Sequence, residues 1–180
     1  MAKSPLPPPA TLRQLLDYDP RSGKLFWKAR TDGFSCKRSC SVWNARFAGK
    51  EVGWENCAGY TCLSLWGKKL RAHRVAWAIT YDVWPENEID HINGCPSDNR
   101  IKNLREVTHA ENGKNVKTPM TNKSGQIGVY RQRGASAWRA EIKVNGRRIH
   151  LGYFEKFSDA VRARTSAEAE YKFHANHGRQ

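Results

Sequence analysis

The clearest periodicity in the chain lies in its last third. Between 138 and 144, Trp138, Ala140, Ile142 and Val144 alternate with Arg139, Glu141 and Lys143. That period of two marks a strand with one apolar and one charged face. Runs at 128–133 and 147–152 predict two more strands joined by short turns, one of them at Asn145-Gly146. Residues 158–171 (SDAVRARTSAEAEY) predict a helix that can cover the apolar face. The expected unit, 125–180, is a three-stranded antiparallel sheet packed on one helix, its charged face outward.

The middle of the chain changes period. Residues 71–81 (RAHRVAWAITY) read as a helix whose apolar side includes Val75, Ala76, Ile79 and Trp77, closed by Trp84-Pro85. Strands follow at 88–92 and 103–107, separated by a long loop with turn chemistry at Asn93-Gly94 and Asp98-Asn99. Thr108 and Glu111 have the spacing of a capping box, so a helix should begin near His109 with Asn112 in its first turn. Upstream, 11–16 predicts a short helix, 19–23 a turn and 24–28 a strand. Residues 60–66 and 69–72 predict a hairpin reversing at Gly67-Lys68. Residues 29–56 carry no clean period and read as loop.

These elements define an α+β chain in five segments: a Pro-rich disordered tail at 1–10, a basic β-rich region at 11–70, a strand–strand–helix core at 71–117, a polar linker at 118–124 and the sheet unit at 125–180. An apolar share of 39% and a mean hydropathy of -0.76 point to small cores. No run approaches the ~20 apolar residues of a membrane span, and the N-terminus has no signal-like apolar stretch, so a cytoplasmic protein is expected. An odd count of 5 cysteines also suits a reducing compartment. Cys36, Cys40, Cys57 and Cys62 can be drawn as a zinc site, but their spacings favour scattered thiols.

Charge points to the partner. The net formal charge is +14 and the isoelectric point 9.9, which suits a polyanion. Residues 1–70 and 123–180 each carry 12 Lys and Arg against 5 Asp and Glu, whereas 71–122 carries 7 of each. A neutral centre between two basic flanks fits a reaction centre held on nucleic acid by its surroundings. The neutral centre contains Asp90-His91, Asn103 and Asn112. A carboxylate and an amide can hold a hard divalent cation, and a histidine beside them can take a proton from water near pH 7. Together they predict metal-dependent hydrolysis of a phosphodiester.

The runs AHRVAWA, DHING and DNRIKNLR, with Asn112 beyond them, resemble the HNH endonucleases, in the Asp-His…Asn…Asn branch found among phage and intron homing enzymes. The resemblance implies a small ββα-metal (His-Me finger) core in which Asp90 and Asn112 bind the metal. His91 is then the general base, and Asn103 hydrogen-bonds in the loop and orients the His91 imidazole. Oxygen ligands favour magnesium, with manganese as the alternative. Arg100 and Arg105 flank the site as possible phosphate contacts. Asp98 and Asn99 are assigned to turn structure, His73 to packing and His109 to a solvated helix start.

SGQIGVY, WRAEIKV and HLGYF resemble the plant ethylene-response (APETALA-type) DNA-binding domain, also found attached to phage HNH nucleases. The resemblance places Glu141, Lys143, Arg148 and His150 toward DNA, and charge alone adds Arg131, Arg133 and Arg139. The implied partner is double-stranded DNA, in a bacterial host cytoplasm if the chain is phage-encoded; no obligate protein partner is evident. Two other readings stand beside a homing-type endonuclease, nicking or cutting both strands. One is a non-catalytic DNA-binding accessory or regulatory protein built on a decayed nuclease fold. The other is an RNA-directed protein, although no RNA-recognition motif is present.

Overall fold

Pro9 opens the first helix, α1 (Pro9–Leu15), where a missing N–H is tolerated and a fixed φ suits the turn. In the computed structural model, which describes residues 5–31, 35–131, 134 and 136–179, Pro5 and Pro8 before it are exposed. Pro7 is buried, and its carbonyl accepts a hydrogen bond from Trp84 Nε1 at 2.7 Å. The chain divides into two compact units, Met1–Glu106 and Val107–Gln180.

In the first unit α1 runs directly into a hairpin of β1 (Leu16–Asp19) and β2 (Lys24–Trp27). The Asp19 carboxylate ties its turn, accepting from Arg21 N at 2.9 Å and Ser22 Oγ at 2.6 Å. The stretch read as loop contains a helix, α2 (Lys37–Phe47). It buries little beyond Cys40, so no apolar stripe announces it. Side-chain contacts hold it instead: Trp43 meets Trp27 edge-on at 5.5 Å and packs on Phe47, and the Asn44 amide bonds both Arg30 N and Arg30 O. A three-stranded antiparallel sheet follows, of β3 (Trp54–Glu55), β4 (Thr61–Leu65) and β5 (Lys68–Arg71). β5 passes straight into α3 (Ala72–Tyr81).

The alternation of β4 and the stripe of α3 meet in one core. Leu12, Leu16, Leu25, Leu63, Ala72, Val75 and Ala78 are its most enclosed members, each at most 2% exposed. A smaller cluster, Ala76, Ile89 and Leu104, joins the other side of α3 to the paired strands β6 (Glu88–His91) and β7 (Leu104–Val107). Tyr18 of β1 packs against both clusters.

The second unit begins at the end of β7. The capping box forms in both halves: Thr108 Oγ1 accepts from Glu111 N at 3.3 Å, and Glu111 Oε2 accepts from Thr108 N at 2.9 Å. It starts α4 (His109–Asn112). Strands β8 (Val129–Arg131), β9 (Trp138–Val144) and β10 (Arg147–Phe154) form an antiparallel sheet in the order β10–β9–β8, covered by α5 (Phe157–Glu170). Ala140 and Ile142 are fully buried and Lys143 is exposed, as alternation requires. Arg164 of α5 is buried, bonding Glu168 Oε1 at 2.8 Å, Glu141 O at 2.6 Å and the His177 ring at 3.2 Å. Gly128 lies against it at φ +74°; a Cβ there would sit 2.8 Å from Arg164 Nη1. The stretch after α4 pairs with the C-terminal residues: His174 N bonds Lys114 O, Gly178 N bonds Val116 O and Thr118 N bonds Arg179 O. Among the described residues no helix is long and apolar enough to cross a membrane.

Candidate active site

Two strands and the loop between them carry the candidate chemistry. Asp90 and His91 end β6, and both are buried. The loop from 93 to 103 is knitted by asparagines. Asn103 Oδ1 accepts from Asn93 N at 3.0 Å, and its Nδ2 donates to Asn93 Oδ1 at 3.0 Å and to Asp98 O at 2.8 Å. Ile92 N bonds Asn103 O at 2.8 Å, which fastens the loop to the strand pair. Asn103 thus ties both ends of the loop together.

The amide on the His91 ring belongs to Asn99, whose Oδ1 lies 3.2 Å from His91 Nε2. Asn99 is 3% exposed, although its sequence context reads as a turn. Its link to His91 crosses irregular loop, so no periodicity signals it.

Two aromatic groups stand beside the same imidazole. The His73 ring on α3 meets it edge-to-face at 5.0 Å, and the Tyr60 ring lies 5.9 Å away. The Arg71 guanidinium covers Tyr60 at 4.3 Å. Burial pushes His91 below the usual imidazole range, against the Asn99 hydrogen bond and the carboxylates of Asp90 and Asp98, which favour the charged form. Burial lowers His73 further, to about 3. Its Nδ1 is enclosed and makes no hydrogen bond. His73 is packed inside the unit, with the candidate His91 as its neighbour.

Both candidate phosphate contacts are paired. Arg105 donates to Asp90 Oδ2 through Nε at 2.9 Å and Nη2 at 2.7 Å. Arg100 holds Asp98, whose carboxyl falls to about 2 mainly through that hydrogen bond. Asn112 sits on α4, in the second unit, its N–H bonded to Thr108 O at 2.9 Å. Among the described residues no group of three or more His, Cys, Asp or Glu is arranged to hold a metal. The donors at hand are the carboxylates of Asp90 and Asp98 and several amide oxygens, a hard set that fits magnesium or manganese better than zinc.

The charged face of the sheet is a second candidate surface. Arg148 lies opposite Lys143, and His150 opposite Glu141. Glu141 accepts from Tyr130 Oη at 2.9 Å and pairs with Arg139 at 3.2 Å and Arg148 at 3.8 Å. Arg131 pairs with Trp138 and so falls on the other, apolar side of the sheet, its guanidinium 4.9 Å from that ring, whereas His150 packs on Tyr153. Arg133 lies outside the described residues.

A strand pair bearing Asp-His at its first edge, followed by an asparagine-tied loop and a capped helix, is the arrangement of a ββα nuclease core. Residues 70–114 match the family described as HNH endonuclease, and the chain belongs to that family through this domain. Over 81 residues the chain is 33% identical to Protein 3.8 of Escherichia phage T7, an alignment covering 44% of this chain and 67% of that protein. No solved structure gives a significant match.

Proposed function

We propose that this protein is a metal-dependent endonuclease that hydrolyses phosphodiester bonds in double-stranded DNA, of the phage homing type. The observation that carries it is the His91 imidazole. It is buried beside Asp90, lowered toward its neutral form and engaged by the Asn99 amide. A neutral, oriented imidazole is the form that accepts a proton from an attacking water. Asp90 and Asn112 would hold a divalent cation, with magnesium favoured and manganese the alternative. When bound, that ion supplies Lewis-acid stabilisation of the scissile phosphate and the leaving 3′ oxygen. Asn103 keeps the loop closed under His91 through its bonds to Asn93 and Asp98.

The second unit would hold DNA on its charged sheet face through Arg139, Lys143, Arg148 and His150. Glu141 would preset the neighbouring arginines. Strands laid in a major groove are an established means of DNA readout. The kinship with a phage protein supports action in a bacterial host cytoplasm.

Supercoiled plasmid incubated with magnesium tests this. Wild type should give open circles or linear product; EDTA and His91→Ala should abolish both. Cleavage by His91→Ala, or DNA binding by wild type without cleavage of plasmids or a phage genome, would overturn the proposal.

A further inference from the structure

The N-terminal hairpin lies outside the matched domain, yet it touches the loop that orients His91. Tyr18 on β1 donates its hydroxyl to Asn99 O at 2.8 Å, across 81 residues of sequence. At the turn of the same hairpin, Gly23 has φ +77° and packs on the backbone of Asn99 and Arg100. A Cβ on Gly23 would lie 2.6 Å from Asn99 C, so the two chain segments meet at a distance that only glycine allows. The Asn99 side chain then reaches His91 Nε2 at 3.2 Å.

From these contacts we infer that the β1–β2 hairpin is a positioning part of the cleavage centre, in which Tyr18 and Gly23 fix the Asn99 backbone and, through the Asn99 amide, the His91 ring. The inference rests on His91 being the base proposed above. An amide can hold an imidazole no more firmly than its own backbone is held. Asn99 lies in the largely irregular loop between β6 and β7, two short strands that alone fix it poorly. The hairpin adds to the loop's internal bonds a constraint from outside it, on a paired element. The Tyr18 ring anchors it by packing against both hydrophobic clusters of the unit. Small displacements of a proton-accepting group cost rate steeply, so a brace of this kind acts on turnover more than on substrate binding.

Tyr18→Phe is the informative variant, because it keeps the ring in both clusters and removes only the hydroxyl. Steady-state DNA cleavage should be compared for wild type, Tyr18→Phe, Asn99→Ala, the double variant and His91→Ala. Tyr18→Phe should lower kcat about five-fold, the worth of one hydrogen bond, and leave KM unchanged. Asn99→Ala should lower kcat by roughly 10- to 100-fold. The double variant should be no slower than Asn99→Ala, because both act through one amide. Unchanged kcat in Tyr18→Phe, or factors that multiply in the double variant, would overturn the inference. Cleavage by His91→Ala would bring down the base assignment instead, a separate result. Amide exchange over 97–101 reads the brace without cleavage. It should be about five-fold faster in Tyr18→Phe, and unchanged protection would overturn the inference equally.

Discussion

Arg105 holds the carboxylate proposed to bind metal, which makes Arg105→Met a sharp test of that site. Asp90 is 7% exposed, and its Oδ2 receives two charge-assisted bonds, at 2.9 and 2.7 Å. Breaking a fully buried ion pair costs about 3–5 kcal/mol, because the remaining charge is stranded. Arg105 is 36% exposed, so part of that interaction is already screened and a loss of about 2–3 kcal/mol is expected. In a domain of this size about 1 kcal/mol moves Tm by roughly 4–8 °C, so unfolding in EDTA followed by circular dichroism should shift down by roughly 10–20 °C. Magnesium should then raise the Tm of Arg105→Met more than that of wild type, since a cation on Asp90 takes over the neutralisation. A fall of less than about 3 °C would refute the energetic reasoning. Equal magnesium shifts in the two proteins would refute Asp90 as a ligand.

Three further outcomes are expected. Arg164→Met should cost about 3–5 kcal/mol in urea unfolding, because Glu168 and the Glu141 carbonyl lose a buried guanidinium; a loss under about 1 kcal/mol would contradict this. His73 is held neutral with a pKa of about 3, so the unfolded chain binds a proton that the folded chain refuses. That contribution is whole above pH 6.5 and is lost as pH falls from there toward 3; His73→Phe should flatten this acid limb, and limbs of equal depth would refute the assignment. Arg148→Ala should reduce the slope of log affinity for duplex DNA against log salt by about one, and an unchanged slope would remove Arg148 from the DNA face.

What is legible in the chain is what local chemistry decides. The alternation at 138–144 is enough to identify the buried face of β9, because a strand's period is fixed by its backbone. Thr108 and Glu111 mark the start of α4, since a capping box is complete within four residues. The apolar spacing of 71–81 likewise reveals α3. What escapes is held by distant contacts. α2 depends on Trp27 and on the Arg30 backbone rather than on an apolar stripe, and only the i, i+4 spacing of Trp43 and Phe47 hints at it. β1 merges with the end of the first helix, because Leu12, Leu15 and Leu16 suit either period. In the candidate site, Asp90 and His91 stand out by residue type. Asn99 looks like turn chemistry until folding brings its amide to the imidazole.

The shared core of the first unit bears on portability. Residues 70–114 would be the natural fragment to graft onto a DNA-binding protein. Cut at 70, α3 would keep Val75 and Ala78 but lose Leu12, Leu16, Leu25 and Leu63, against which that face is buried. The graft would expose an apolar surface and release the backbone of Asn99 from Tyr18. Transplanting the cutting centre therefore means carrying the chain from α1 onward, and a chimera joined at the domain boundary should aggregate before it cleaves.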